Sequence, residues 1–128
     1  MTQEDKELIF KELCARLPYH VKCKIWIKDG TTEEGALDLE HNYGNVLQDS
    51  FYYNKIKDIK PYLFPLSSMT EEEKEEYCQL QQRVIYNSKG VINEDVTKYI
   101  NWCYKKHLDI NNLIPMELAI DATNLNIY

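Results

Sequence analysis

The segment from Ile59 to Tyr77, IKPYLFPLSSMTEEEKEEY, constrains the fold most, because it predicts a strand followed closely by a helix. Pro61 and Pro65 lack a backbone donor and favour extended backbone at the preceding residues. They therefore predict an edge strand or a strap, not a central strand. Thr70 precedes Glu73 by three residues, which is the spacing of a helix capping box. The segment thus marks the boundary between a sheet region and a helical region.

Length and composition indicate one compact domain. A chain of 128 residues with 44% hydrophobic content can bury one core and is short for two domains of ordinary size. We expect a single domain over residues 1–128. Its predicted parts are an N-terminal helix over 1–17, an antiparallel sheet over 20–66 and a mostly helical C-terminal part over 70–128.

Several classes of protein are disfavoured. No apolar run approaches the roughly 20 residues of a membrane span, and the acidic start MTQEDKEL does not resemble a secretory signal, so we predict a cytoplasmic protein. The net charge of −6 opposes binding to duplex DNA, which depends on cations that neutralise phosphates. The cysteines lack a CxxC pair, which predicts reduced core thiols and neither a disulfide framework nor a zinc site. They are Cys14, Cys23, Cys78 and Cys103.

Hydrophobic periodicity predicts a helix and then short strands in the first part of the chain. Thr2 can cap a helix that extends through Leu17. From Val21 to Ile27 apolar residues alternate with polar ones or Trp, which is typical of a half-buried strand. Asp29-Gly30 is a hairpin turn signal, and Glu34–Leu39 is the predicted second strand.

Further strands are predicted at Asn45–Gln48 and Phe51–Ile59, followed by the helix that Thr70 caps. A weak hairpin pattern covers Val84–Ile92, and Asn93–His107 has the period of an amphipathic helix. Together the elements predict an α+β fold. Its core is a small antiparallel, SH3-like curled sheet or partial barrel, flanked by an N-terminal helix and two later helices.

Three segments carry a resemblance to a known group of proteins. They are LCARLPYHVKCKI (Leu13–Ile25), the segment Ile59–Tyr77, and WCYKKHLDINNLI (Trp102–Ile114). In this order and spacing they resemble small uncharacterised proteins of phages and prophages in Bacteroides-type gut bacteria. The middle segment is the most specific, and the intervening hairpin departs most. The resemblance implies a phage accessory protein in the bacterial host cell, with no assigned chemistry.

A first candidate ligand-binding set alternates along the first predicted strand. It consists of Lys22, Lys24, Trp26 and Lys28. Cations beside an indole suit a nucleotide, because they contact phosphate while the ring stacks on a base. The alternative is that Trp26 packs under a helix while the lysines line a solvated edge.

A second candidate set lies on the last predicted helix. Its members, at spacings that bring aromatic rings and cations together, are Tyr99, Trp102, Lys105 and Lys106. The alternative is a second packing seam between helices.

A third candidate set comes from the tyrosine content, which is 10 of 128 residues. Tyrosine combines a large apolar ring with a polar tip, so clusters at turns are typical of partner-binding surfaces. The set consists of Tyr43, Tyr52, Tyr53 and Tyr62 together with Phe64 in the proline strap. Ordinary core and edge packing is the alternative.

Enzymatic residues are not evident. The best acid–base pair is His41 with Asp38 or Glu40 in a turn, and such pairs arise by chance in acidic chains. The histidines have no metal-ligand spacing, and no cofactor is expected. The sequence therefore favours a non-enzymatic binding protein.

Three forms of binding remain open. The first is counter-defence by sequestering a host immune nucleotide, and the second is occlusion of a host protein by edge pairing and aromatic anchors. The third is binding of single-stranded nucleic acid. Exposed aromatic surface also makes a homo-oligomer an alternative.

Overall fold

The computed structural model describes residues 2–36, 56–86 and 93–128. Over these residues the chain is an α+β fold, which confirms the predicted class with its N-terminal helix and two later helices. The helices are α1 (Gln3–Arg16), α2 (Glu71–Tyr86) and α3 (Asn93–Lys105). The strands are β1 (Lys22–Ile27), β2 (Thr32–Ala36), β3 (Ile56–Leu63) and β4 (Ile120–Asp121).

The strands form one mixed sheet in the order β2-β1-β3-β4. β1 is antiparallel to both β2 and β3, whereas β4 adds to β3 in parallel. A parallel neighbour requires a long crossover, and here the crossover contains α2 and α3. Among the described strands the sheet stays open and does not close into a barrel, and the parallel β4 makes it mixed where the sequence predicted an antiparallel sheet.

The prediction that the proline segment forms an edge strand or strap is wrong. β3 includes Pro61 and has β1 on one side and β4 on the other. The carbonyl of Leu63 accepts from Ala122 N at 2.8 Å on the β4 side, and alternation places the nitrogen of Pro61 on that side too. Pairing with β4 begins only at Tyr62. The missing donor therefore costs no ladder hydrogen bond.

Reciprocal caps start α1 and α2, as the sequence predicts. Thr2 Oγ1 accepts from Asp5 N at 3.1 Å, and the Asp5 carboxylate accepts from Thr2 N at 3.3 Å. At α2, Thr70 Oγ1 accepts from Glu73 N at 3.2 Å and Glu73 Oε1 accepts from Thr70 N at 3.0 Å. Each box satisfies two backbone N–H donors that helix starts otherwise leave free.

The core lies between α1, the inner face of the sheet and the segment before β4. Alternation along β1 is confirmed, because the apolar residues point inward. Cys23 and Cys103 are buried as predicted, whereas Cys14 and Cys78 are exposed. The remaining core residues are Ile9, Leu13, Val21, Ile25, Ile56, Ile59, Leu63, Leu113, Leu118 and Ala119.

Strand and turn boundaries differ from the prediction at several points. The turn at Asp29-Gly30 is present with Gly30 at φ +93°, but β2 begins at Thr32, before the predicted start. Val84 to Tyr86 belong to α2 and not to a hairpin. The predicted strand at 45–48, residues 51–55 of the next one and residues 87–92 of the hairpin lie outside the described residues.

Candidate functional site

A cleft of about 420 Å³ lies between the start of α2, the end of α3 and the segment that follows β4. Its walls combine cations, hydroxyl and amide groups, and aromatic rings. The lining residues are Phe64, Ser68, Met69, Glu73, Lys105, Lys106, His107, Leu108, Thr123, Asn124 and Tyr128. The three walls come from sequence regions that are far apart.

The positive wall of the cleft lies at the C-terminal end of α3. Lys105 and Lys106 are both exposed there, where the helix dipole favours cations. Lys106 Nζ lies 3.9 Å from Glu73 Oε2 and 5.9 Å from the centre of the Trp102 ring. Glu73 is also held by its capping box with Thr70. Lys106 is thus oriented, and both lysines remain open to solvent.

The aromatic wall is formed by Phe64, His107 and Tyr128. The Tyr128 ring stacks on the His107 imidazole with centroids 3.7 Å apart and planes within 13°. Phe64 and Tyr128 have centroids 5.7 Å apart and are tilted by 51°. Three rings on one side provide a surface on which a planar ligand can pack.

Tyr128 is fixed by hydrogen bonds that join two strands. Its hydroxyl accepts from Lys22 N at 2.8 Å and donates to the carbonyl of Tyr62 at 2.7 Å. The hydroxyl is therefore inserted between the backbones of β1 and β3. Lys22 Nζ donates to the carbonyl of the neighbouring Ile127. These bonds position the ring at the mouth of the cleft.

His107 is neutral at physiological pH. Burial, and then the positive charges of Arg16 and Lys22, lower its pKa from 6.5 to about 4. Its Nδ1 is buried and has no hydrogen-bond partner within the described part of the chain. Its backbone adopts φ +56°, and its carbonyl accepts from Phe64 N at 2.8 Å. The imidazole thus acts here as an uncharged ring.

A buried ion pair supports the base of the cleft from below. Arg16 and Glu12 are 0% and 3% exposed, with Arg16 Nε 2.9 Å from Glu12 Oε2. Arg16 Nη2 donates to the carbonyl of Leu108 at 2.7 Å, and its guanidinium lies 4.7 Å from the Tyr104 ring. Asn111 Nδ2 donates to the other Glu12 oxygen. The cluster ties α1 to the end of α3.

The first predicted set is only partly brought together. Lys22, Lys24 and Trp26 share the outer face of β1, whereas Lys28 lies in the turn beyond the strand. The Trp26 ring has Lys24 Nζ at 5.4 Å and Lys60 Nζ at 5.8 Å. Lys24 and Trp26 lie on the sheet apart from the cleft, whereas Lys22 contacts Tyr128 of its aromatic wall.

The second predicted set divides into two parts. Tyr99 and Trp102 pack against α2, because the Tyr99 ring lies 5.6 Å from Tyr77 and Trp102 Nε1 donates to Glu76 Oε2 at 2.9 Å. These two residues therefore form the packing seam that the sequence left as an alternative. Only the lysines of the set, Lys105 and Lys106, line the cleft.

The third predicted set is described only in part. Tyr43, Tyr52 and Tyr53 lie outside the described residues. Tyr62 is buried, and its hydroxyl donates to Glu34 Oε1 at 2.7 Å; burial and then this bond raise its pKa to about 12. Phe64 is half-buried and lines the cleft.

Several residues of the site carry no local sequence signal. Asn124 and Tyr128 reach the cleft only because β4 pairs with β3 and returns the chain to it, whereas Ser68 lies in the short helical turn Leu66–Ser68 after β3. Glu12 and Arg16 have the spacing of an ordinary exposed helix pair. Their burial depends on residues about a hundred positions later in the chain.

Comparisons with protein families, with curated proteins and with solved structures gave no match to this chain. In the described ranges, no helix is long and apolar enough to cross a membrane. The same ranges hold no group of three or more histidine, cysteine or carboxylate side chains placed to bind a metal ion. The site is therefore interpreted from its own geometry.

Proposed function

We propose that this chain is a non-enzymatic binding protein whose cleft takes a small anionic ligand with an aromatic ring, of the nucleotide class. One observation carries the proposal: Lys105 and Lys106 line the same cleft as the rings of Phe64 and Tyr128. Cations attract phosphate, and an aromatic surface packs against a base. The cleft thus offers both contacts that a nucleotide needs.

Size and charge support a small anion. A volume of about 420 Å³ falls within the lower part of the range of small-molecule sites. The titratable side chains in the lining are two lysines, one glutamate, a neutral histidine and a neutral tyrosine, so these side chains carry one net positive charge. The whole chain carries −6. A local positive site in an acidic protein is typical of a specific anion contact, because the global field opposes diffuse attraction.

The polar groups of the cleft suit binding more than catalysis. Glu73 is engaged in its capping box and faces Lys106. Ser68 Oγ donates to the carbonyl of Pro65 at 2.7 Å, so its proton is committed to the backbone. His107 stacks against Tyr128. Fixed groups of this kind orient a ligand without supplying an activated nucleophile.

The resemblance to phage accessory proteins suggests a purpose for such binding. Sequestration of a host immune nucleotide requires affinity and no turnover, and it is our proposal for the role of this protein in the host cell. The second candidate, occlusion of a host protein, gains no support from Tyr62 and β3. That side chain is buried and that strand has neighbours on both sides.

The experiment starts with native mass spectrometry of protein purified from cells with active nucleotide signalling. A retained mass identifies the ligand directly. Isothermal titration then uses adenosine monophosphate, its cyclic form and a cyclic dinucleotide as probes. We expect K105Q/K106Q to weaken binding by about tenfold or more, because two charge-assisted contacts are lost.

A matched control is available on the same helices. Lys74 and Lys98 are exposed and pair with Glu71 at 3.3 Å and Glu94 at 3.5 Å. The K74Q/K98Q variant removes the same charge away from the cleft and should bind normally. Equal weakening in both variants, or no binding of any probe at millimolar concentration, would refute the proposal.

A further inference from the structure

The outer face of the sheet carries an indole between two lysines from neighbouring strands. Trp26 is half-buried there, with Lys24 Nζ at 5.4 Å and Lys60 Nζ at 5.8 Å from its ring. Lys24 and Trp26 project from β1, and Lys60 projects from β3. We call these three residues the lysine–tryptophan face. They lie apart from the cleft, whose lining includes none of them.

The two lysines are direct neighbours in the sheet. Lys24 lies opposite Lys60 in the register of β1 and β3. Like charges placed directly opposite each other on one face destabilise a sheet. A bound phosphate between the two ammonium groups would remove this repulsion. The arrangement therefore favours an anionic ligand on energetic grounds.

Carboxylates on the same face compensate only part of the charge. Glu34 lies opposite Lys24 on β2, with Glu34 Oε1 3.9 Å from Lys24 Nζ, and it also accepts from the Tyr62 hydroxyl. Asp58 lies opposite Trp26, and its Oδ1 accepts from Ile59 N at 2.9 Å. Glu34 and Asp58 balance the formal charges of Lys24 and Lys60, so the net charge of +1 on this face comes from Lys22, which shares the outer face of β1.

We propose that the lysine–tryptophan face binds single-stranded nucleic acid, with one unpaired base stacked on Trp26 and an adjacent phosphate between Lys24 and Lys60. Stacking on an aromatic side chain requires a base that is free of a duplex, and it tolerates any base because each has a π-face. This site is independent of the nucleotide site proposed for the cleft.

Geometry sets the size of the contact. Alternate residues of a strand lie about 6.6 Å apart and neighbouring strands about 4.8 Å apart, so the face covers only a short stretch of nucleic acid. Two lysine–phosphate contacts predict a slope of about −1.4 for log K against log salt on a single strand. The acidic chain as a whole opposes association, so we expect a dissociation constant on the order of 10⁻⁵ M at low salt.

The test measures binding of a fluorescently labelled oligothymidylate of about twelve nucleotides by anisotropy, between about 50 and 200 mM salt. Trp26 fluorescence is followed in parallel in a W102F background, since Trp26 and Trp102 are the two tryptophans of the chain. We expect the oligonucleotide to quench Trp26, as a stacked base would. The same sequence annealed to its complement should bind more weakly.

Variants distinguish binding at the lysine–tryptophan face from diffuse electrostatic attraction. K60Q should weaken binding by about three- to tenfold and reduce the salt slope by about 0.7, because one phosphate contact is lost. Lys57 is exposed on the same strand, and K57Q should bind normally. W26F should keep most of the affinity and W26A should lose it. Circular dichroism confirms that each variant is folded.

The results that would refute binding at the lysine–tryptophan face differ from those that would refute nucleotide binding in the cleft. Equal weakening in K57Q and K60Q would show diffuse attraction and overturn the proposal, as would absence of binding at the lowest salt. Loss of oligonucleotide binding in K105Q/K106Q with no change in K60Q would assign the contact to the cleft alone. Unchanged oligonucleotide binding in K105Q/K106Q together with the weaker binding stated above for K60Q is the expected result.

Discussion

The buried pair of Glu12 and Arg16 allows a sharp prediction about stability. Replacing Glu12 with leucine introduces an apolar side chain of similar size in α1. It leaves the Arg16 guanidinium, which is 0% exposed, without its carboxylate. Removing one partner of a buried ion pair costs about 3–5 kcal/mol, because the remaining charge stays desolvated. That is a large share of the roughly 5–15 kcal/mol by which domains are stable.

The double variant E12L/R16M should lose far less free energy of unfolding than the two single variants lose together. It removes both charges, and the exposed Asn111 amide that loses Glu12 can bond to water. The buried carbonyl of Leu108, which now accepts from Arg16 Nη2 at 2.7 Å, loses that donor. Leaving such a group unpaired costs about 1–3 kcal/mol. The single variants E12L and R16M should together cost about 6–10 kcal/mol, so the coupling free energy exceeds about 3 kcal/mol.

The assay is urea unfolding of the four members of the cycle, followed by circular dichroism. If a single variant is unfolded in water, added TMAO restores a measurable transition. The control cycle uses Glu94 and Lys98, an exposed pair 3.5 Å apart on α3, for which we expect about 0.3–0.5 kcal/mol. The assignment of a buried pair would be refuted if the losses in free energy of unfolding of E12L and R16M were additive in the double variant. It would also be refuted if each single variant lost less than about 1 kcal/mol.

Two further predictions concern the aromatic wall. Y128F keeps the ring but removes the hydroxyl between Lys22 N and the carbonyl of Tyr62, and urea unfolding should show a loss of about 1–2 kcal/mol; an unchanged midpoint would contradict the bridge. His107 has a pKa of about 4 in the folded protein and near 6.5 in the unfolded chain. Between these two pH values the unfolded chain binds more protons than the folded protein. The free energy of unfolding should therefore fall as the pH drops from 6.5 to 4. H107N, which tolerates the positive φ, should flatten that part of the profile, and an equally steep profile in the variant would exclude His107 as its cause.

The sequence predicts the local features of this fold well. The helix starts at Thr2 and Thr70 were predictable because a capping box lies within four residues and depends on no distant contact. The alternation along β1 was predictable for the same reason, since a strand period of two assigns each side chain to a face. The fold class followed from the order of these elements.

Long-range pairing was not predictable from local patterns. Pro61 argues against a central strand, and only the position of β4 shows that its missing donor falls beyond the ladder. The spacing of Tyr99 and Trp102 along the helix is the same whether the two rings face solvent or pack against α2. The contacts with Tyr77 and Glu76 decide between these alternatives, and they come from a separate helix.

The candidate site was predicted in fragments. Lys105 and Lys106 were identified by their charge, and Phe64 by its place in the proline segment. Tyr128 was missed because nothing near it in the sequence indicates that it stacks on His107. The lysines of β1 and those at the end of α3 were predicted as two separate candidate sets, and the structure places Lys24 and Lys105 on separate surfaces.

The order of the described strands also bears on how this protein can associate. β4 is only two residues long, and Pro61 offers no donor to any strand that would extend it. At the other side of the sheet, β2 presents the carboxylates of Glu33 and Glu34, both exposed. Short and charged edges resist the addition of a strand from another molecule. Among the strands described, the sheet edges therefore resist edge-to-edge aggregation, and the surfaces they leave for a partner are those formed by side chains.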